Sequence, residues 1–351
     1  MPVNIAVVGS GWVTLNRHIP ALLRGKDLRL AGVIGRNRES AGKIARKYGL
    51  RHCSAASSLS TVDWLAEVDA VVIGTPPEAH AEQAREALAL GKHVLVEKPF
   101  AMTVEEAESM VSAARGRGLI LAAMHNFLFS KGARKLAAAF ARGEIGALRR
   151  VSVVHLGNPV RGLPEWHERL PLGSFYDESA HIFYLLRSFA GRNLRLEKAC
   201  GVAAADAGRK TPALVSLLYR NDAGVPVTID CQFDSPVSEW YLLLSGEKAL
   251  GIYDIYRDMY IRLPNDGKHK TLNVLLTSYN AVVQHALQHI TNGFDFLRGH
   301  MDYGSCEVFS RFADAISGGT EALFGIGAGE AVEVLRMQQE AAAAVRENLL
   351  A

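Results

Sequence analysis

Three groups of residues in this chain combine types and spacings suited to chemistry. Glu97-Lys98-Pro99 closes the apolar run His93–Val96. Pro99 restricts Lys98 to extended geometry, so the triplet holds an ammonium group at the end of a buried strand. Such a lysine can donate a proton or a hydrogen bond to a substrate hydroxyl when burial lowers its pKa. Upstream, the strand-like Asn4–Val8 runs into Gly9-Ser10-Gly11. A glycine turn of this kind lets backbone approach the pyrophosphate of a dinucleotide. The helix that follows, opening at Trp12 and Val13, aims its N-terminal dipole at the anion. A lysine beside a bound cofactor suggests redox chemistry. Downstream, Asp177 and His181 stand four residues apart, where Ile182, Leu185, Leu186 and Phe189 mark a helix starting near Asp177. On one helical face the two could pass a substrate proton near neutral pH. Equally, Asp177 could cap the helix with His181 packed beneath it.

Further residues bear on the cofactor. The fingerprint is incomplete, because Thr14 occupies the third glycine position. The second strand ends at Ile34, and Gly35 stands where a carboxylate would accept hydrogen bonds from the ribose of NAD. Arg36 and Arg38 follow, and an arginine there can pair with a 2′-phosphate, which favours NADP. The other readings are solvated arginines, or one stacked on adenine. Gly74-Thr75-Pro76-Pro77 ends another strand-like run. It can cover the nicotinamide half of the cofactor or simply start a helix. His80, one turn into that helix, faces either cleft or solvent. His285 and His289 are also four apart, but no third ligand follows at a familiar spacing, and no metal is expected. Trp166-His167 lies in a loop before the Asp177 helix, as a substrate cover or a loop anchor.

The elements that must position these groups fall into two patterns. Ile5–Val8, Leu28–Ile34, Ala70–Ile73, His93–Val96 and Leu119–Ala123 are short and mostly unalternated, as strands buried on both faces are. Amphipathic stretches separate them: Ile19–Arg24, Ser40–Tyr48, Glu78–Leu90 and Val104–Ala114, the last with a capping box from Thr103 to Glu106. This predicts a doubly wound α/β domain over residues 1–126. Lys131–Ala141 then reads as a helix. From Val151 onward period-two alternation becomes common, most cleanly at Val225–Phe233, with Leu214–Tyr219, Tyr241–Leu244 and Ile252–Tyr256 as further strands. Helices return at Ala281–Leu297, Cys306–Ile316 and Glu330–Arg346. Residues 127–351 therefore read as an α+β domain with a large, mostly antiparallel open sheet.

With 351 residues, 49% hydrophobic and 21% charged, the chain can bury two ordinary cores. A net charge of +3 is too small to argue for nucleic acid. No apolar run approaches the roughly 20 residues of a membrane helix, and Met1-Pro2-Val3-Asn4 does not open a signal peptide. Cys53, Cys200, Cys231 and Cys306 lack paired spacing, so reduced, buried thiols in a cytoplasmic protein are expected.

In order and spacing, Gly9-x-Gly11, Gly74-Thr75-Pro76-Pro77, Glu97-Lys98-Pro99, Asn126 and Asp177-x-x-x-His181 resemble the glucose–fructose oxidoreductase / inositol dehydrogenase (Gfo/Idh/MocA) family across essentially the whole chain. The resemblance implies a Rossmann domain followed by a substrate-binding and oligomerisation domain. It also implies use of NADP or NAD on a secondary alcohol of a sugar, nucleotide sugar or cyclitol, and a homodimer or homotetramer formed through the C-terminal sheet. It implies cofactor contacts at Gly9, Gly11, Trp12, Val13, Arg36, Arg38, Thr75, Pro76, His80, Glu97, Lys98 and Asn126. Lys98 then looks like the catalytic lysine, His181 like the general acid/base, and Asp177 like its partner. Two departures stand out. Thr14 would set the first helix slightly farther from its strand, and Tyr184 stands where many members have a second Asp. A glycosidase of the same fold that holds NAD, and a cofactor-sensing protein without catalysis, are the competing expectations.

Overall fold

The apolar runs of the N-terminal part pair side by side as a parallel sheet. In chain order the elements are β1 (Val3–Val8), α1 (Ile19–Arg24), β2 (Leu28–Gly35), α2 (Arg38–Tyr48), β3 (His52–Ala55), β4 (Ala70–Ile73), α3 (His80–Ala89), β5 (His93–Val96), α4 (Val104–Arg115) and β6 (Leu121–Ala123). The sheet order is β3-β2-β1-β4-β5-β6, every pair parallel. Strand order reverses between β1 and β4, which places a ligand crevice at their carboxyl ends. The capping box at Thr103 and Glu106 forms as the spacing predicts. The computed structural model describes residues 2–206 and 208–350, with Thr320 described by its backbone alone.

The remaining elements are α5 (Lys131–Ala141), β7 (Leu148–Leu156), α6 (Ser174–Phe189), β8 (Leu194–Val202), β9 (Leu214–Asn221), β10 (Pro226–Gln232), β11 (Glu239–Gly246), β12 (Ala249–Asp254), β13 (Met259–Pro264), α7 (Thr271–Leu297), α8 (Ser305–Ile316), α9 (Ala328–Glu347) and β14 (Leu349–Leu350). Eight strands form a second sheet, β13-β12-β11-β7-β10-β9-β8-β14. It is antiparallel except where β10 meets β7 and β14 meets β8. Val227, Ile229, Cys231 and Phe233 are buried on one face of it, as the alternation implies.

The two compact units do not follow a single cut. The first is Met1–Asn126 with Gly304–Met337, and the second is Phe127–Tyr303 with Gln338–Ala351. The first segment of the first unit ends at Asn126, and α8 and the first half of α9 return to that unit. Val308, Phe309 and Phe312 of α8 are buried, and the helix packs on α1 and β2. Amphipathic periodicity shows that a helix has a buried face, not which core receives it. The short, half-exposed β3 and the charged β8 escaped the sequence reading because neither carries a clean apolar pattern. α7 begins ten residues earlier than its periodicity suggested. All four cysteines are free, but only Cys231 is buried, and Cys53 is exposed. Among the described residues, no helix is long and apolar enough to cross a membrane.

α6 carries Asp177 and His181 and is buried almost throughout, from Ser174 to Leu186. It starts at Ser174, not near Asp177. The cap comes from a distant residue: the Ser174 N–H donates to Thr211 Oγ1 at 2.9 Å. Asp177 lies a full turn inside the helix and is therefore not the N-cap. The approach of Thr211 requires Gly173, whose φ is +54° and whose Cβ, if present, would stand 2.1 Å from Thr211 Oγ1. Gly173→Ala is expected to destabilise the second unit by about 2 kcal/mol or more, read as a fall in the denaturant midpoint. An unchanged midpoint would show that this cap is not needed.

Candidate functional site

The first half lies at the carboxyl edge of the parallel sheet. Gly9 has φ +112°, and a Cβ there would come within 2.6 Å of the Gly74 carbonyl oxygen, so only glycine fits the turn. A Cβ on Gly11 would meet nothing within 4 Å, so space opens in front of the turn. Trp12, 64% exposed, sits at the rim with the Arg17 guanidinium 5.5 Å from its ring centre, and Val13 is half-buried beside it. The helix then makes a π-turn over Thr14–His18 before α1, a local widening frequent at functional sites. Thr14 is fully buried, and its hydroxyl has no hydrogen-bond partner. A Cβ on Gly74 would lie 3.1 Å from Thr14 Oγ1 and 2.9 Å from the His18 ring. The close approach given up at Thr14 is thus recovered at Gly74, and the wider helix spacing expected from Thr14 is not needed.

Glu97 and His18 hold this half together. His18 Nε2 donates to Glu97 Oε1 at 2.7 Å, because an ionised carboxylate can only accept. Glu97 Oε2 accepts from the Lys98 N–H at 3.0 Å. Burial pushes the Glu97 carboxyl pKa up, but the His18 hydrogen bond and charge, with Lys98, hold it below its ordinary value. Glu97 thus bonds both His18 and the backbone of Lys98. His18, which no motif flagged, is fully buried with the Phe309 ring edge-on at 6.0 Å. His80, the other histidine of this edge, also bonds within the chain. It is fully buried, with Nδ1 2.8 Å from the Pro99 carbonyl and Nε2 2.8 Å from that of Thr75. It braces the Thr75 loop against the segment carrying Lys98. Burial lowers its pKa against these two carbonyls, which raise it.

At the far end of β2, Gly35 is required rather than merely neutral. A Cβ there would stand 2.9 Å from Ser10 Oγ, which itself bonds Ser40 Oγ at 2.8 Å. An acidic side chain at 35 would collide with this pair. Arg36 and Arg38 are exposed beside it. Arg38 is the first residue of α2, which Asn37 caps, and a helix dipole disfavours a cation at that end unless an anion is near. Thr75 donates its hydroxyl hydrogen to Gln83 Oε1 at 2.7 Å, while Pro76, Lys98 and Asn126 are half-buried. The glycine turn, the open space before it and the exposed arginines fit a dinucleotide.

The second half is a buried polar cluster in the second unit. His181 Nδ1 lies 2.6 Å from Tyr184 Oη, which accepts the Phe127 N–H at 3.1 Å. With Nδ1–H donating to the phenol oxygen, the neutral imidazole keeps Nε2 as its unprotonated nitrogen. Phe127 and Trp240 flank the ring at 4.5 and 5.7 Å between centres. Asp177 Oδ2 is 3.9 Å from His167 Nδ1. His167 is thus gathered into the cluster, while Trp166 tilts against its ring 3.9 Å away. One residue on, Glu178 faces Arg161 at 3.6 Å, and Arg161 reaches Tyr256 Oη at 3.4 Å. Tyr256 Oη in turn lies 3.4 Å from His155 Nε2. Spacing along α6 pointed to Asp177 and His181, Tyr184 was singled out as a departure from the family and His167 as a substrate cover or loop anchor, but nothing local in the sequence signalled Arg161. His285 and His289 stack on α7, and no group of three or more metal-ligating side chains exists among the described residues.

Residues 3–125 match the family model described as the GFO/IDH/MocA oxidoreductase family, NAD-binding Rossmann fold. Through this region the chain is similar to that family, and its first unit has the parallel strand order of a Rossmann fold. A scyllo-inositol 2-dehydrogenase (NADP(+)) of Bacillus subtilis is 38% identical over 119 residues, 34% of this chain and 35% of that protein. A dTDP-3,4-didehydro-2,6-dideoxy-α-D-glucose 3-reductase of Streptomyces antibioticus is 34% identical over 124 residues, 35% of this chain and 36% of that one. The chain thus spans about a third of the length of each of these relatives. A mutant 3-ketoreductase of Actinomadura kijaniata, solved with TDP-benzene and NADP, superposes with TM-score 0.72 at 19% identity over 100% of this chain and 98% of that one. This likeness shows the fold.

Burial pulls the His155 pKa from 6.5 down to about 4. The unfolded chain therefore takes up this proton first as pH falls. The stability that neutral His155 contributes is complete above pH 6.5 and drains between 6.5 and about 4. His155→Phe is expected to flatten the loss of stability over that window, measured by urea melts at successive pH. An unaltered slope would remove His155 as its source.

Proposed function

We propose that the chain is an NAD(P)-dependent oxidoreductase that moves a hydride between nicotinamide and a secondary alcohol or ketone of a sugar, nucleotide sugar or cyclitol, with NADPH preferred. One observation carries the reading. Glu97, locked by His18, fixes the backbone of Lys98 at the carboxyl edge of the sheet, beside the glycine turn that accepts a dinucleotide. The buried His181–Tyr184 pair supports it from the second unit, where a group able to hold and return a proton is kept in one tautomer by a phenol.

Bound nicotinamide would supply or accept the hydride. In the oxidative direction His181 takes the hydroxyl proton, and Lys98 donates a hydrogen bond to the oxygen as the carbonyl forms. In the reductive direction His181 returns the proton and Lys98 polarises the carbonyl. Asp177 and His167 hold neighbouring hydroxyls of the substrate, which suits a polyol better than a lone alcohol. Gly35 with Ser10 excludes a carboxylate near the adenosine ribose, and Arg36 and Arg38 are there to meet a 2′-phosphate.

Lys98→Ala and His181→Ala are each expected to lower kcat by about a hundredfold or more in a screen of sugars, cyclitols and their keto forms. Tyr184→Phe is expected to shift the pH profile of kcat, because the phenol no longer biases the imidazole tautomer. Near-normal turnover in either alanine variant would remove that residue from the mechanism. Release of sugar from aryl glycosides without net change in NADPH would replace this reading with a glycosidase. Fluorescence titration is expected to give tighter binding of NADPH than NADH, and Arg36→Ala is expected to abolish the difference.

A further inference from the structure

α7 turns its polar stripe toward the protein and its apolar face toward solvent. The helix has 27 residues, about 40 Å of length, and none of them is buried. Its docked side is Asn273, Gln284, Gln288, Asn292 and Asp295. Gln284 and Gln288 each bond the edge strand β13 twice. Gln284 accepts the Arg262 N–H at 2.9 Å and donates to its carbonyl at 2.9 Å. Gln288 accepts the Tyr260 N–H at 3.0 Å and donates to its carbonyl at 2.7 Å. Asn292 donates to the Arg257 carbonyl at 2.7 Å. Side-chain amides one helical turn apart thereby stand in for a ninth strand and satisfy the sheet edge.

The opposite face follows a different rule. Leu272, Leu276, Tyr279, Val283, Ile290 and Leu297 fall on an alternating three–four spacing, the seam of a helix that packs on helices, with Ala286 and Gly293 completing it. They are exposed, with Leu272 at 64%, Tyr279 at 68% and Leu297 at 80%. Leu275, Leu287, Phe294 and Phe296 widen the band. Exposed apolar patches of this extent mark an interface.

We infer that the occupant is a second copy of this chain, packed α7 against α7. Asp295 is the only carboxylate or basic Lys/Arg side chain between Thr271 and Leu297, and it is on the docked side. The outer face therefore offers no carboxylate, lysine or arginine to match in a different partner, the nearest cations being Lys268, Lys270 and Arg298 at the helix ends and Lys131 and Lys135 on the docked side. A two-fold axis lets one apolar stripe serve both sides of its own interface. The small residues Ala286 and Gly293 in the seam let two backbones approach. The exposed side chains amount to on the order of 1,000 Å² per copy, which places the pair in the size range of obligate dimers. This moves self-association from the sheet face, where the family resemblance put it, to a helix at the sheet's edge.

Sedimentation velocity on the full chain tests this. The wild type is expected to be a dimer or a larger even oligomer. Val283→Glu with Ile290→Glu is expected to give a monomer of unchanged circular dichroism, because both side chains face solvent in the single chain. Leu218→Glu, on the sheet, is expected to leave the oligomer intact. A monomeric wild type, an oligomer that survives the α7 substitutions, or one that Leu218→Glu alone dissociates would each overturn the proposal. So would co-sedimentation of a monomeric wild type with neutral phosphatidylcholine vesicles.

Discussion

The contact between His18 and Glu97 is the constraint on which the cofactor half depends. A carboxylate largely removed from water is costly unless a donor meets it, and truncating one partner of such a pair typically costs about 3–5 kcal/mol. Here one donor comes from the helix after the glycine turn and the other from the backbone of the lysine itself. The pair therefore ties the two loops that must agree on where a dinucleotide lies. His80 repeats the device one strand over, bridging the Thr75 and Pro99 carbonyls. Lys98 inherits its position from two buried histidines.

The same economy of space explains the departures from the dinucleotide fingerprint. A side chain at position 14 is tolerated because Gly74 has none. Gly35, the last residue of β2, carries no carboxylate because Ser10 already fills the volume. Two substitutions that look like erosion of a motif are each matched by a vacancy or an occupant elsewhere in the same unit.

Much of this was legible in the chain. The glycine turn, the parallel strands and the capping box are set by local rules of backbone geometry and periodicity, and they appear where the spacing puts them. Asp177 and His181 were singled out because a helix places residues four apart on one face. What escaped was long-range. His18 meets Glu97 across 79 positions of sequence. Thr211 caps α6 from 37 residues away, which overturned the reading of Asp177 as the cap. The buried histidines were read as ligand contacts or not at all, since sequence shows a titratable group but not the carbonyl that will satisfy it. α8 showed its apolar face, yet the core that receives it lies nearly 300 residues upstream.

The return of residues 304–337 to the first unit has a consequence for biosynthesis. The six-stranded sheet is complete in the polypeptide by Ala123, but Phe309, which closes over His18, is made only after the whole of the second sheet up to β13. Throughout that interval the nascent Rossmann unit carries an uncovered flank on α1 and β2. Chaperone capture of ribosome-bound chains would thus be concentrated on a part of the molecule that sequence order presents as finished.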